Sequence, residues 1–340
     1  MTKITEFLEI ILEGHDLTFE QAKQLLDTIF QGDVAEVQIA AFLAAMRVKK
    51  ASVSELAGLA CSLREHAVRV DPGIDAVLVD TCGTGGAALK TFNISTASAL
   101  VAAGAGAYVA KHGNRGITSV CGSADVLSAL GVNIEAGPET VAECIRQAHI
   151  GFMFAPKFHP AMKHVQPVRK SLDFRTAFNI LGPLANPARA QAQVMGVADV
   201  SLMPRIAQTL KTLGLKRAMV VHSNGLDEIS TMGPTRILHL MPDGSITEET
   251  LDAECFGIPK AEFDALAGGD ADTNAHIIRE ILFEKAGGPR KDIVVLNAAA
   301  AIIVAGLAKD FVEGIERADQ AIHSGKAAEC LEKLIEVSNR

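Results

Sequence analysis

Cys82-Gly83-Thr84-Gly85-Gly86, followed shortly by Thr91-Phe92-Asn93-Ile94-Ser95-Thr96, has the residue types of a phosphate site. Three glycines in four positions let the backbone turn sharply and bring N–H groups close to an oxyanion. The second run opens an Ala/Val-rich helix that Asn93 and Ser95 can cap, so the positive end of its dipole faces the same place. A diphosphate suits such a nest. Lys111-His112-Gly113-Asn114-Arg115 ends the next apolar run, Tyr108-Val109-Ala110, where open α/β sheets place their ligands. Thr118, Ser119 and Ser123 add hydroxyls beside Gly122, and Ser123 is the expected cap of a helix opening at Asp125. Asp227 and Glu228 follow a strand ending near Val221, and adjacent carboxylates beside a diphosphate cradle can hold a hard divalent cation.

The elements that position these residues follow from periodicity. Residues 1 to about 69 repeat apolar positions at helical spacing, as in Phe7, Ile10, Ile11 and in Ala22, Leu25, Leu26, Ile29. Thr18 with Gln21 and Ser52 with Glu55 fit capping boxes, and four helices are expected. From Val77 the pattern changes to short apolar strands between glycine loops and amphipathic helices, with later strands at Gly151 to Phe154, Gln193 to Val197 and Ala218 to Val221. The fold class is α/β: a small N-terminal all-helical domain and a larger α/β domain with a mainly parallel central sheet and surrounding helices. Pro242 to Gly269 reads as hairpins or loops, and Ile293 to Ala305 and Phe311 to Val337 as helices covering the sheet.

Composition fits a soluble metabolic enzyme: 340 residues, 49% apolar and 21% charged, enough for a substantial core and two domains. A net charge of −8 argues against a nucleic-acid binder. Six cysteines show neither CxxC pairs nor His/Cys ligand spacing and read as free cytosolic thiols. No basic-then-apolar leader opens the chain, and Ala97 to Ala110 is too short and too rich in Ala and Gly to span a bilayer, so a cytoplasmic protein without a membrane partner is expected.

GTGG, TFNIST, KHGNR and Cys121 to Leu127 resemble the anthranilate phosphoribosyltransferase family, and the likeness continues in family order. Phe154-Ala155-Pro156, His159 to Met162, Pro167-Val168-Arg169, and Phe178 to Leu184 with Asn186-Pro187 resemble its second signature block; Gly225 to Ser230 resembles its acidic metal motif. The resemblance implies Mg²⁺-dependent transfer of the phosphoribosyl group of 5-phosphoribosyl 1-diphosphate to the amine of anthranilate in tryptophan biosynthesis. It implies donor contacts from Gly83, Thr84, Gly85, Gly86, Thr91, Asn93, Ile94, Ser95 and Thr96, and from Lys111, His112, Gly113, Asn114, Ser119 and Ser123. The acceptor would meet Gly83, His112, Asn114, Ala155, Pro156, His159, Met162 and Gly182. Arg169 is the expected partner of its carboxylate. Ser95, Asp227 and Glu228 would hold metal, with two Mg²⁺ ions expected.

The resemblance also implies a domain 1–70 joined by a crossing segment at about 164–187, an α/β domain 71–340, an interdomain site and a homodimer through the helical domain. The chemistry needs charge neutralisation at the departing diphosphate, room at C1′ and an oriented amine, but no covalent nucleophile. His112 is expected to position the acceptor first and to act as a base second; Arg175, next to Asp173, reads as an interdomain arginine. Two positions depart from the family pattern: Ala87 stands where GTGG is usually followed by Asp, and Asp173 where Gly usually follows the leucine. A transferase of the same fold with another aromatic acceptor, and a non-catalytic nucleic-acid-binding paralogue, are the alternatives.

Overall fold

The computed structural model describes residues 3–116, 120–285 and 287–340. Four helices open it: α1 (Lys3–Leu12), α2 (Phe19–Gln31), α3 (Glu36–Lys49) and α4 (Val53–Glu65). Both capping boxes are present, Thr18 with Gln21 and Ser52 with Glu55. Glu55 also holds the bundle together: fully buried, it accepts from Leu17 N–H at 3.0 Å and pairs with Lys49 at 2.8 Å.

The sheet strands are β1 (Leu78–Gly83), β2 (Tyr108–Gly113), β3 (Ile150–Phe154), β4 (Ala192–Gly196), β5 (Arg217–Ser223), β6 (Thr235–Leu240) and β7 (Ile246–Leu251). Their order is β3-β2-β1-β4-β5-β6-β7; the first five lie parallel, and β6 and β7 add an antiparallel hairpin. Between and after them lie α5 (Ile94–Gly104), α6 (Ser123–Ala129), α7 (Pro138–Ala148), α8 (Ala155–Phe158), α9 (Gln166–Leu172), α10 (Phe178–Leu184), α11 (Met203–Thr212), α12 (Phe263–Leu266), α13 (Ala271–Leu282), α14 (Pro289–Val304), α15 (Phe311–His323) and α16 (Lys326–Ser338). α5 is Ala-rich because it is buried on nearly every side; at its end a Cβ on Gly104 would lie 2.7 Å from Ala327 N, so the approach of α16 requires glycine. No helix among the described residues is long and apolar enough to cross a membrane.

The helical block is docked on the sheet by continuous apolar burial. One cluster runs from Phe7, Leu25 and Leu43 through Val168 and Leu181 to Met195 and Val220. Each such side chain contributes about 1.5–3 kcal/mol when fully buried. α9 and α10 thus join the N-terminal helices to one face of the sheet, while α5, α14 and α16 cover the other. Arg47 ties α3 to the crossing segment by donating to the Arg175 carbonyl, and its guanidinium lies 5.0 Å from the Phe174 ring centre.

Asp173 ends α9 in the left-handed region at φ 48°. This explains why glycine suits the position: it takes positive φ without a Cβ penalty, whereas Asp tolerates it at a cost. Asp173 makes no ion pair with Arg175, contrary to the pairing that their adjacency suggests. Asp173→Gly is expected to raise stability by about 0.5–1 kcal/mol and to leave the acceptor KM unchanged. Denaturant titration and steady-state kinetics check this; a shifted acceptor KM would instead place the Asp173 charge in the site.

Candidate active site

The carboxyl ends of β1 and β2, the residues after β3 and the loop after β5 border a cavity of about 630 Å³, closed on the far side by a 3₁₀ turn (Pro160–His164) and helical residues up to Ala185. β1 delivers Gly83, Thr84 and Gly85; α5 delivers Asn93, Ser95 and Thr96; β2 delivers Lys111, His112, Gly113 and Asn114. Ala155, Pro156, His159, Met162, Arg169 and Gly182 line the opposite wall, and Ser123, Asp227 and Glu228 complete the set. Gly86, Thr91 and Ile94 lie outside the lining: Ile94 is core, and Thr91 forms a β-bridge with Ala267. Ser119 and Thr118 lie outside the described residues.

Asp227 reaches the glycine loop because two glycines leave room for it. A Cβ on Gly83 would overlap Asp227 Oδ2, and one on Gly196 would overlap the Asp227 carbonyl oxygen. Asp227 Oδ2 accepts from Gly85 N–H at 3.1 Å, and Thr84 N–H donates to Gly196 O at 2.9 Å. Two of the N–H groups expected to form the anion nest are therefore already engaged. Burial raises the pKa of both Asp227 and Glu228, and the neighbouring Asp227 charge pushes Glu228 further up. Two carboxyls pressed together without a cation are in a state that a divalent ion would relieve. Among the described residues no three His, Cys, Asp or Glu side chains converge, and an ion held by this pair would complete its shell with water or substrate oxygens. The donor set fits Mg²⁺ bound together with a diphosphate.

Lys111 is 2% exposed and donates to Thr81 O at 2.6 Å, Thr81 Oγ1 at 3.3 Å and Ser95 Oγ at 3.4 Å. Burial lowers its pKa, against the charges of Asp80, Cys82 and Glu228. Asp80 is itself pushed up to about 6 by burial, while Asn186 at 2.8 Å and His112 N–H at 3.3 Å bond its carboxyl. A buried ammonium costs several kcal/mol unless compensated, which makes solubility an untenable account of Lys111.

His112 Nδ1 lies 3.2 Å from Gly182 O, so Nδ1 carries the proton and the buried Nε2 presents a lone pair without a protein partner. Burial takes its pKa down to about 3, and that of His159, whose ring centre is 5.0 Å away, down to about 4. Both rings are neutral at pH 7. Arg169 is half-buried, contacts the Phe178 ring at 5.4 Å, donates to Gln166 Oε1 at 3.4 Å and has no carboxylate partner among the described residues; burial lowers its pKa.

Two cap assignments change. Asn93 occupies the N-cap of α5 without a side-chain cap bond, because its amide is drawn to Cys121 and Asn274 instead; Ser95 lies inside the helix. α6 begins at Ser123 itself, with Gly122 as N-cap and Asp125 accepting Gly122 N–H at 2.9 Å. Ser123 Oγ instead donates to Asn114 O at 3.4 Å. Arg175 is a lining residue that sequence alone left as an interdomain tie: it donates to Thr84 O at 3.0 Å and Gly85 O at 2.9 Å, over Gly86, where a Cβ would overlap its guanidinium. Lys163 also lines the cavity; its only sequence signal is a place inside the His159 to His164 run.

Comparison with known proteins agrees with this architecture. A family model described as "Glycosyl transferase family, a/b domain" matches residues 75–328, and "Glycosyl transferase family, helical bundle domain" matches residues 5–67. Anthranilate phosphoribosyltransferase of Methanocorpusculum labreanum is 50% identical over 335 residues, 98% of each chain. That of Chloroflexus aurantiacus is 47% identical over 336 residues, again 98% of each. The crystal structure of the Thermus thermophilus enzyme superposes with a TM-score of 0.92 at 39% identity, covering 98% of this chain and 99% of that one. The Saccharomyces cerevisiae enzyme in complex with PRPP and Mg gives 0.89 at 29% identity, covering 99% and 98%. With its helical bundle, its mostly parallel sheet and a full-length relative at 50% identity, the chain belongs to the anthranilate phosphoribosyltransferase family.

Proposed function

We infer that this chain transfers the phosphoribosyl group of 5-phosphoribosyl 1-diphosphate to the amine of anthranilate, in tryptophan biosynthesis, releasing diphosphate. The observation that carries this is one cavity with two unlike walls: a glycine loop, helix start, buried Lys111 and paired carboxylates on one, and on the other Arg169, without a carboxylate partner among the described residues, together with Ala155, Pro156 and Met162. Four cations (Lys111, Lys163, Arg169, Arg175) face two carboxylates there, a fifth, Arg115, being paired with Asp125 at 2.9 Å, although the whole chain carries −8. The cavity therefore attracts anions against the sign of the protein.

Asp227, Glu228 and Ser95 would hold Mg²⁺, and we propose two ions; bound, they offset the charge that develops on the diphosphate. Lys111 supplies a fixed cation, and the start of α5 supplies a positive dipole end and the Ser95 hydroxyl. Gly83, Gly113 and Asn114 keep the cavity narrow without filling it. Arg169 would pair with the acceptor carboxylate, and Ala155, Pro156 and Met162 would pack on its ring. His112 Nε2 can accept a hydrogen bond from the amine and so aim its lone pair at C1′. With a pKa of about 3 it is a weak base, which suits positioning, since the arylammonium formed after attack loses its proton readily. Arg169→Ala is expected to raise the anthranilate KM about 10–100-fold while changing the donor KM less than about threefold. Equal changes in both would assign Arg169 to the donor.

The domain division 1–70 with 164–187, against 71–340, is proposed from the shared core of those helices. We propose a homodimer through the helical block and a cytoplasmic location, the latter supported by the free thiols of Cys61, Cys82, Cys144, Cys255 and Cys330. α3 carries Val37 and Val48 at 74% and 84% exposure, with Ala41 and Ala44 between them at helical spacing, and Leu12 of α1 is 69% exposed. Val48→Glu is expected to shift the species seen by light scattering from dimer to monomer. A dimer that survives both this change and Val37→Asp would place the interface elsewhere.

A further inference from the structure

The wall behind the donor loop is built by a stretch without any recognisable motif, Leu266 to Asn274. Thr91 and Ala267 form an antiparallel bridge, and Phe92 N–H donates to Leu266 O and Gly268 N–H to Lys90 O, each at 3.4 Å. Gly268 makes the approach possible, since a Cβ there would lie 2.5 Å from Phe92 N and 2.6 Å from Thr91 O. α13 starts at this point. Its Asn274 is 2% exposed and does not line the cavity.

The bonds of Asn274 fix the direction of two amides. Gly269 N–H can only donate, and it lies 2.8 Å from one end of the Asn274 side chain, which must be Oδ1. Nδ2 then points at Asn93, 2.9 Å away, and requires an acceptor there, Asn93 Oδ1. Asn93 Nδ2 in turn faces the Cys121 carbonyl at 3.2 Å, which can only accept. A backbone donor at one end and a backbone acceptor at the other thus leave one consistent arrangement. In it Asn93 keeps a second Nδ2 hydrogen for a ligand, and Asn93 lines the cavity beside Ser95 and Thr96.

We propose that Asn274 is a positioning residue for the phosphoribosyl donor, acting through Asn93 by holding that amide as a hydrogen-bond donor to phosphate oxygen. The inference rests on the assignment of this cavity to 5-phosphoribosyl 1-diphosphate. An Asn93 amide turned the other way would present its carbonyl oxygen to an anion, and would set it against the Cys121 carbonyl.

Asn274→Asp tests this with little change of shape. It keeps an acceptor for Gly269 N–H but offers Asn93 only acceptors, so Asn93 must either set Oδ1 against a carboxylate or turn and set it against Cys121 O. The donor KM is expected to rise at least about tenfold, with the anthranilate KM within about twofold and Tm lowered only slightly. Asn274→Leu, which removes both bonds, is expected to raise the donor KM as well, with a larger fall in Tm. An unchanged donor KM in folded Asn274→Asp, or failure of both variants to fold, would overturn the positioning role. The unsubstituted chain is assayed alongside, with calorimetric titration of donor and Mg²⁺. If it neither binds donor nor turns over, the assignment of the cavity fails and takes this inference with it; an active parent with unaffected variants removes Asn274 alone.

Discussion

Asp227→Asn combined with Glu228→Gln is expected to lower kcat/KM by at least about 10³-fold, a loss of roughly 4 kcal/mol of transition-state stabilisation. Both carboxyls are turned into a cavity that otherwise carries cations; burial raises the pKa of both, and Asp227 pushes Glu228 further up. A divalent ion bound between them, as proposed above, would offset the charge that burial and proximity disfavour. The amides preserve size and most hydrogen bonding but not charge, so the double variant should fold with a Tm close to that of the parent. It should also lose the Mg²⁺-dependent tightening of donor binding that titration calorimetry measures on the parent. A double variant retaining a tenth or more of the activity would remove these residues from metal binding and with them the mechanism above.

Gly196→Ala is the second large effect, and it acts at a distance of one backbone from the chemistry. Gly196 ends β4, and the loop that follows β5 crosses over it so closely that a Cβ would overlap the Asp227 carbonyl oxygen. The obstacle is main chain, not the end of a flexible side chain, so the 225–228 loop must move as a unit. Gly225 N–C geometry limits that movement, since its φ is 86° and its carbonyl accepts Leu89 N–H at 3.1 Å. Overpacking of this kind costs about 1–3 kcal/mol in stability. A shift of even 1 Å at Asp227 is expected to cost about 10²-fold in turnover, because the carboxylates must meet a diphosphate fixed by other elements. Circular dichroism melts with steady-state kinetics separate the two losses; full activity in a folded Gly196→Ala protein would show that the loop tolerates displacement and that Asp227 need not be held where it is.

Much of this was readable from residues alone, for identifiable reasons. Parallel strands buried on both faces are continuous apolar runs, so β1, β2, β3, β4 and β5 could be read directly. β7 was legible only as part of the coarse reading of Pro242 to Gly269 as hairpins or loops, because Thr247, Glu248, Glu249 and Thr250 are exposed on an edge strand and show no apolar run. Thr18 and Ser52 could be named as caps because their partners lie three residues away. Asn93 has the right type and place for a cap, but partners remote in sequence compete for its amide, and no local pattern shows Asn274 from 181 residues away. The same limit concealed the service of Gly196 to Asp227, and the grip of Arg175 on the glycine loop. That Asp173 departs from the usual glycine is visible in the sequence, but its positive φ, which makes the departure a matter of backbone conformation, is not.

Ala87 is the remaining departure inside the donor loop. Its carbonyl accepts from Lys90 Nζ at 2.8 Å, and Leu89 is anchored to Gly225, so the loop is tied to the segment that carries Asp227 and Glu228 through main chain without a carboxylate at position 87. The most direct test of the whole account is consumption of anthranilate by the purified chain with 5-phosphoribosyl 1-diphosphate and Mg²⁺, with controls lacking donor or metal and with Ala87→Asp alongside. Turnover by the unmodified chain that requires both donor and metal is the predicted result. No turnover by either protein, with both folded, would contradict it.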